Sequence, residues 1–234
     1  MTNTQIVSQA IAEIPENQLI FASKLYHEQF GDRITESSYY KTLERLRNAG
    51  SLCQIGKGTY YRPKVSKYGT VPPSQQEIIA AFTEPDKGTV VGYSLYNSLK
   101  LTTQVSRTVE VLSSAMEQQT KKIGNVMLSY CDLVYAPEVK RLIHMMEVLQ
   151  NFGKIQELDY AQFVKFCERF ITTYDDAVFA QVCRQMKYQK RTISFLRNIL
   201  AFYHVPNNLS RYLSSLSEYQ HPTMEEIYDT AHLS

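Results

Sequence analysis

Residues 35–62 decide the fold and read TESSYYKTLERLRNAGSLCQIGKGTYYR. In its first half, Tyr39, Leu43 and Leu46 follow the three- and four-residue spacing of one helical face. Gly50 comes directly after this pattern and can take the left-handed conformation that ends many helices. The sequence therefore predicts an amphipathic helix with one buried face and one exposed face.

A β-hairpin is predicted immediately after this helix. Apolar segments at residues 52–55 and 59–62 lie on either side of Gly56-Lys57-Gly58, which is typical of a glycine-rich turn. Upstream, helical spacing at residues 7–14 ends at a proline, and the apolar stretch from Leu19 to Phe30 predicts a second helix. Three helices followed by a hairpin is the element order of a winged helix-turn-helix domain.

The whole chain is predicted to have an α+β fold that is mostly helical. We expect a winged helix-turn-helix DNA-binding domain at residues 1–70, a small α/β segment at 74–135 and a helical C-terminal region at 136–234. The adjacent prolines of residues 69–73 predict a linker after the first domain. Residues 74–234 are expected to form one domain.

Patterns in the middle of the chain predict short elements. Helical spacing indicates helices at Glu77–Phe82 and Ser94–Leu99. Strands are expected near Arg107–Leu112 and Gly124–Tyr130. Thr223, with a glutamate three residues later, is typical of the capping box that begins a helix, so a final helix is expected there.

Basic residues are concentrated in one segment. The formal net charge of the 234-residue chain is only +2, which is too small to make the whole protein a nucleic-acid binder. Residues 33–67 are strongly basic, opposed only by Glu36 and Glu44. The basic residues of this segment are Arg33, Lys41, Arg45, Arg47, Lys57, Arg62, Lys64 and Lys67.

The exposed face of the predicted third helix carries side chains that suit a DNA duplex. Serine and asparagine hydrogen-bond base edges or phosphates, whereas lysine and arginine pair with phosphate or with guanine. The alternative is a solvated helix face beside a basic hairpin. Tyr40, Tyr60 and Tyr61 fit core packing or phosphate contacts equally well. The candidate DNA-binding residues are Ser37, Ser38, Lys41, Arg45, Arg47, Asn48, Lys57 and Arg62.

No catalytic, cofactor-binding or metal-binding residues are predicted, and we do not expect an enzyme. A phosphate-binding loop, a GxGxxG motif and paired cysteines with zinc spacing are all missing from the sequence. The acidic pair Asp175-Asp176 is interpreted as charge at a helix N-terminus, and His144 as the edge of a core. A catalytic site would require groups such as these to meet only in three dimensions.

The cysteines and the hydropathy pattern point to a cytoplasmic protein. Cys53, Cys131, Cys167 and Cys183 are widely separated, so we interpret them as reduced, buried thiols. A signal peptide and a membrane-spanning apolar run are not apparent, so no membrane partner is expected.

A second basic cluster lies in the last third of the chain. Two interpretations stay open, a solvated helix face and a surface that extends a DNA footprint or receives an acidic partner. Its members are Arg184, Lys187, Lys190, Arg191 and Arg197.

Two motifs resemble the AbiEi-type antitoxin family. Residues 43–52 and 56–61 resemble the helix and wing of that family. Residues 92–99, followed by 101–105 and 107–111, resemble the glycine, small helix, Leu-Thr and strand sequence that follows the wing there. The two motifs together cover roughly residues 19–130, and the helical part after Pro137 matches only loosely.

The resemblance implies a cytoplasmic antitoxin of a toxin–antitoxin system. Such a protein represses its own operon by binding repeats in promoter DNA and counteracts a nucleotidyltransferase-like toxin, either directly or only functionally. A homodimer is expected on double-stranded DNA, because one module reads a short half-site. The alternative is a winged-helix transcriptional regulator whose C-terminal domain senses a ligand or dimerises, with no toxin partner.

Overall fold

A computed structural model describes residues 2–233 and divides the chain into two compact units. The first unit comprises the chain up to Ala81 together with Lys122–Val126, and the second comprises Phe82–Lys121 and the chain from Met127 onward. The predicted α+β class, with N-terminal helices beside small sheets and a helical C-terminal region, is confirmed.

The N-terminal elements have the order of a winged helix. They are α1 (Asn3–Glu13), β1 (Leu19–Phe21), α2 (Ala22–Gln29), α3 (Glu36–Asn48), β2 (Cys53–Gly56), β3 (Thr59–Tyr61), β4 (Lys64–Ser66) and β5 (Gly69–Val71). Strands β1, β3 and β2 form an antiparallel sheet in that order. We call β2, β3 and the turn between them the wing.

The prediction of a helix from Leu19 to Phe30 is wrong for its first residues. Residues Leu19–Phe21 form strand β1, which pairs with Thr59–Tyr61, and only Ala22–Gln29 is helical. Three apolar residues fit a helix and a strand equally well, and here the distant pairing partner β3 determines the outcome. Helix α3 does begin after Thr35, but the Thr35 side chain forms no capping hydrogen bond.

The predicted linker is also corrected. Part of residues 69–73 lies in β5, which pairs with β4 as a separate two-stranded antiparallel sheet. We call β4, β5 and the turn between them the second hairpin. The two adjacent prolines come only after this hairpin has ended.

The middle of the chain contains more strands than predicted. A four-stranded sheet has the order β6-β7-β9-β8. The sequence predicted β7 and β9 but not β6 or β8. The elements are α4 (Gln75–Thr83), β6 (Gly88–Val91), α5 (Gly92–Ser98), β7 (Val109–Ser113), β8 (Thr120–Ile123) and β9 (Val126–Tyr130).

The C-terminal part is helical, as predicted. The capping box at Thr223 and Glu226 is present, with each residue's backbone N–H donating to the other's side chain. The helices are α6 (Pro137–Asn151), α7 (Tyr160–Ile171), α8 (Asp176–Gln185), α9 (Lys190–Phe202) and α10 (Met224–Leu233).

Each part of the protein has its own hydrophobic core. A small cluster of buried residues between Val7 and Leu52 lies at the centre of the three N-terminal helices. A much larger cluster extends from Val91 to Ile227 and involves α5 to α10. Burial of apolar surface stabilises a fold by about 25 cal/mol per Å², so the second cluster contributes more of the stability.

Candidate nucleic-acid interface

Tyr39 fixes the orientation of α3. Its side chain is fully buried, and its hydroxyl donates a hydrogen bond of 3.0 Å to the carbonyl of Ala22, at the start of α2. Its ring contacts the rings of Tyr26 and Phe30, with centroids 5.2 and 5.5 Å apart. Burial raises the pKa of the Tyr39 hydroxyl, which therefore stays a neutral donor. With this face anchored, the opposite face of α3 is presented to solvent.

The exposed face of α3 carries most of the predicted DNA-binding residues. Ser37, Lys41, Arg45 and Asn48 are exposed, whereas Ser38 is half-buried. They occupy successive turns of one helix, so their side chains form a continuous polar strip. This strip is positively charged at its centre.

Lys41 and Arg45 lie one helical turn apart and have the same charge. Within residues 2–233, neither forms an ion pair, although Glu44 lies between them in sequence. A like-charge pair at this spacing costs an isolated helix roughly 0.2–0.5 kcal/mol. A bound anion such as a phosphate group would remove that cost, so this pair is suited to a polyanion.

Arg47 does not lie free on this surface. Its guanidinium donates a hydrogen bond of 3.0 Å to the side-chain carbonyl of Gln54 in β2, and the Gln54 amide donates to the carbonyl of Gly56. Arg47 therefore connects the end of α3 to the wing. Its predicted role in DNA contact becomes one of positioning, although its side chain remains exposed.

Arg62 is also held by the protein itself. Its guanidinium donates to the carbonyl of Ile14 just after α1, and its own carbonyl accepts from the backbone N–H of Asn17. The side chain is half-buried. Part of its donor capacity is thus used at the end of α1, and its contact with DNA stays a prediction.

The wing tip presents Lys57. This side chain is exposed, and the following Gly58 has a φ of 64°, a conformation that side chains other than glycine rarely adopt. The carbonyl of Gly58 accepts a hydrogen bond of 3.0 Å from the N–H of Ala22. The wing tip is thus fixed to the start of α2 and presents an exposed lysine.

The three ambiguous tyrosines contribute to packing. Tyr61 is buried, and burial next to Cys53 raises the pKa of its hydroxyl. Tyr40 and Tyr60 are half-buried and pack against the N-terminal core. Of the two interpretations left open by the sequence, the structure favours core packing for all three.

The acidic pair has structural partners. The Asp175 carboxylate accepts hydrogen bonds from the N–H groups of Ala177 and Val178 and so caps α8. Asp176 accepts from the hydroxyl of Tyr174 and from Asn208. These contacts support the interpretation of the pair as charges at a helix N-terminus.

His144 lies at the edge of the large core. Its Nε2 and the Thr89 hydroxyl share a hydrogen bond, with the two atoms 2.6 Å apart. Burial, together with the nearby charge of Lys140, lowers the His144 pKa to about 4. His144 and Asp175 thus have different partners, and the structure shows no contact between them.

The second basic cluster lies on α8, α9 and the turn between them. Lys187, Lys190 and Arg191 are exposed and form no ion pair in the part of the chain that the structure describes. Arg184 donates to a carbonyl in its own helix, and Arg197 donates to the hydroxyl of Ser210. The free cations fit either of the two interpretations.

All four cysteines are free thiols, as predicted, but the prediction that all four are buried is wrong. Cys131 and Cys167 are buried, whereas Cys53 and Cys183 are only half-buried. No described helix is long and apolar enough to span a bilayer. Between residues 2 and 233, no three or more His, Cys, Asp or Glu side chains are grouped so that they could hold a metal ion.

Sequence reasoning missed one surface feature in this unit, the second hairpin. Val65 and Tyr68 are 75% and 88% exposed. β-Branched residues on both sides of Tyr68-Gly69 are the signal that could have predicted it. The two prolines that follow instead favoured the prediction of a linker.

Three helices, a three-stranded sheet and a wing with an exposed lysine define a winged-helix protein. We call its first compact unit the winged-helix unit and its second unit, which contains α5 to α10, the helical unit. A family model matches residues 7–146, more than half of the chain, so the protein belongs to this family, which is described as a family of unknown function (DUF6088). The match ends within α6 and leaves α7 to α10 outside. No curated protein matches the sequence.

Proposed function

We propose that this protein is an antitoxin that represses its own operon by binding repeats in the promoter and counteracts a nucleotidyltransferase-like toxin. The observation that carries the DNA-binding part is the exposed pair Lys41 and Arg45, which no ion pair neutralises in residues 2–233. The sequence resemblance to AbiEi-type antitoxins supports the toxin-related part.

On DNA, α3 occupies the major groove. Ser37, Asn48 and the two basic side chains reach base edges and phosphates, and Lys57 contacts the adjacent backbone. Tyr39 and Arg47 act through positioning, since their polar groups are bonded within the protein. Two copies bind neighbouring repeats, which increases affinity through multivalency.

The helical unit is assigned the antitoxic activity. It has a large core of its own, and its half-buried carboxylates Glu147 and Asp176 have partners within the protein. The DNA surface lies on α3 and the wing, so repression and antitoxicity use different residues. The two activities should therefore be separable by substitution.

Binding to a duplex that carries the promoter of the protein's own operon tests the DNA-binding part. Lys41→Ala and Arg45→Ala should each raise Kd by about tenfold, or ~1.4 kcal/mol. Each lost phosphate contact should reduce the slope of log K against log salt by about 0.9. Fluorescence anisotropy at several salt concentrations measures both quantities.

Arg141→Ala is the matched control, because Arg141 is exposed on α6 and its replacement changes the net charge equally. It should leave Kd and the salt slope unchanged. An equal loss of affinity in all three variants would indicate nonspecific electrostatics. Unchanged slopes in the two α3 variants would rule out the α3 surface.

A growth assay with the full chain tests whether the protein counteracts the toxin. The double variant Lys41→Ala/Arg45→Ala should still restore growth to cells that express the neighbouring toxin gene, while a promoter reporter loses repression. If the neighbouring gene causes no toxicity, the antitoxin proposal fails. DNA binding without toxicity would favour the alternative, a transcriptional regulator without a toxin partner.

A further inference from the structure

The second hairpin exposes an unusual amount of apolar surface. Val65, Tyr68 and Val71 are 75%, 88% and 42% exposed and lie within eight residues of one another. Only three other large apolar side chains of residues 2–233 are exposed to a comparable degree, and they are dispersed along the chain at Val105, Val134 and Leu216. The register pairs Lys64 with Val71 and Val65 with Thr70. Val65 and Val71 therefore lie on opposite faces of the hairpin, and Tyr68 lies at its turn. Single exposed apolar residues are common, but three on one short hairpin indicate a contact element.

The hairpin is ordered although it is small. Its register pairs Lys64 with Val71 and Ser66 with Gly69. The Ser66 hydroxyl donates to the carbonyl of Gly69 and accepts from the N–H of Tyr68, which fixes the turn. An isolated two-stranded hairpin is marginally stable in water, so a bound partner would stabilise it further.

The charge of the hairpin identifies the kind of partner. Residues 64–71 contain Lys64 and Lys67 but no acidic residue. Hydrogen bonds with Ser74 lower the pKa of the Glu77 carboxyl group, and the charge of Lys64 adds a smaller contribution. Lys67 lies over the ring of Tyr68, 4.9 Å from its centroid. A second copy docked here would bring lysines together, which is unfavourable. A polyanion that also has apolar groups would match both the positive charge and the exposed apolar side chains of the hairpin.

The hairpin is connected to the winged helix by a short segment. Only Arg62 and Pro63 separate it from β3, and Arg62 is anchored to the end of α1 through the carbonyl of Ile14. The ring of Pro63 fixes its own φ. Because β3 begins at the wing tip and ends at this connection, the wing tip and the second hairpin lie at opposite ends of the strand.

We propose that the second hairpin is a second DNA-contacting element, in which Lys67 pairs with a backbone phosphate and the Tyr68 ring packs against deoxyribose. This inference rests on the proposed function, since it requires that α3 binds DNA. Arginine, lysine and tyrosine supply many of the phosphate and sugar contacts in protein–DNA complexes. The hairpin contacts the duplex at a position separate from that of Lys57.

The test uses the full chain and the promoter duplex. Tyr68→Ala should raise Kd by about threefold to tenfold, and Lys67→Ala should reduce the salt slope by about 0.9. Tyr68→Phe should retain wild-type affinity, because the ring rather than the hydroxyl makes the contact. Hydroxyl-radical footprinting should show protection lost at one flank only.

Val105→Ala is the matched control for Tyr68→Ala, because Val105 is 82% exposed and lies outside the first unit. It should change neither Kd nor the footprint. If Tyr68→Ala and Lys67→Ala bind like the wild type while Lys41→Ala is weakened, the hairpin inference is overturned and the proposed function stands. If Lys41→Ala also has no effect, the proposed function fails.

Self-association is the competing outcome. Sedimentation velocity of Tyr68→Ala and the wild type, without DNA, distinguishes it from DNA contact. An unchanged sedimentation coefficient with weaker DNA binding supports the proposal. A shift from dimer to monomer with unchanged intrinsic DNA affinity would show that the hairpin contacts a second copy, and would overturn it.

Discussion

Glu147 in the helical unit and the pair Lys41 and Arg45 in the winged-helix unit accommodate their charges in different ways. In the helical unit, the half-buried Glu147 accepts hydrogen bonds from the hydroxyl of Tyr96 and the amide of Asn151. In the winged-helix unit, Lys41 and Arg45 are exposed and form no ion pair within the described part of the chain. The charge of Glu147 is thus held by hydrogen bonds within the protein, whereas the charges of Lys41 and Arg45 have no ion-pair partner among the described residues. The difference belongs to these residues and not to whole units, because Arg62 is bonded internally in the winged-helix unit and Lys187 is exposed in the helical unit.

The hydrophobic cores of the two units differ in size. The cluster that extends from Val91 to Ile227 is several times larger than the cluster between Val7 and Leu52. Because a larger core buries more apolar surface, we expect the helical unit to be the more stable of the two. Substitutions in each of the two cores test this difference in stability.

The largest effect is expected from Phe163→Ala. Phe163 is fully buried, and its ring contacts Phe152 with centroids 4.9 Å apart. Removing it should cost about 3–5 kcal/mol in the free energy of unfolding, because it leaves a cavity that the neighbours fill only in part. Urea denaturation followed by far-UV circular dichroism measures this change.

Leu43→Ala is the counterpart in the smaller core, since Leu43 is also almost fully buried. It should cost about 2–5 kcal/mol in the free energy of unfolding. It should also abolish DNA binding, because α3 would no longer be held in position. Folded Phe163→Ala protein should bind DNA like the wild type. A larger loss of stability for Leu43→Ala than for Phe163→Ala would break the comparison of the two cores.

A smaller effect, dependent on pH, is expected from His144. Its pKa of about 4 in the folded protein is below the ordinary value of 6.5 that applies to the unfolded chain. The unfolded chain therefore takes up the proton first as the pH falls. The stability that His144 contributes is complete above pH 6.5, decreases between pH 6.5 and 4, and changes no further below that range.

His144→Gln tests this expectation, because glutamine keeps a polar partner for Thr89 but does not titrate. Thermal denaturation of the variant and the wild type between pH 4 and 7 should show a smaller decrease in Tm for the variant. Parallel decreases in the two proteins would show that other groups cause the acid sensitivity.

The smallest effect concerns the second basic cluster. Lys190 is in the first turn of α9, which has no acidic residue there and no side-chain cap. A positive charge at this end opposes the helix dipole, so Lys190→Glu should stabilise the protein by about 0.3–1 kcal/mol. The DNA affinity should stay unchanged in the same variant.

Lys187→Glu is the control, because Lys187 is exposed in the turn before α9. Its replacement by glutamate makes the same change in charge outside the helix. It should not stabilise the protein. A strong loss of DNA affinity in both variants would show that the helical unit contributes to DNA binding, which the proposed function assigns to α3 and the wing.

The parts of the fold that the sequence predicted depend on local signals. The spacing of Tyr39 and Leu43, the glycine turn around Lys57 and the capping box at Thr223 each involve neighbouring residues. Their geometry is fixed by backbone preferences and by burial of one helical face. The exposed strip on α3 was accessible to sequence reasoning for the same reason.

The parts that were missed depend on distant partners. Strand β1 pairs with β3 about forty residues later, and β6 pairs with β7. The same limit applies to the candidate site, since nothing near Arg62 in sequence indicates that its partner is the carbonyl of Ile14. Two of the eight candidate residues therefore have internal contacts that only the folded chain reveals.

The connection between α3 and the wing has a geometric consequence. Arg47 joins the helix to β2, and Ala22 joins the wing tip to α2, so the two contact elements keep a constant separation. Under the proposed function, α3 and the wing tip contact DNA at a fixed distance from each other. One inserted base pair between the two contacts rotates one of them by roughly 35° around the duplex axis. Operators would then be selected by spacing as well as by base identity.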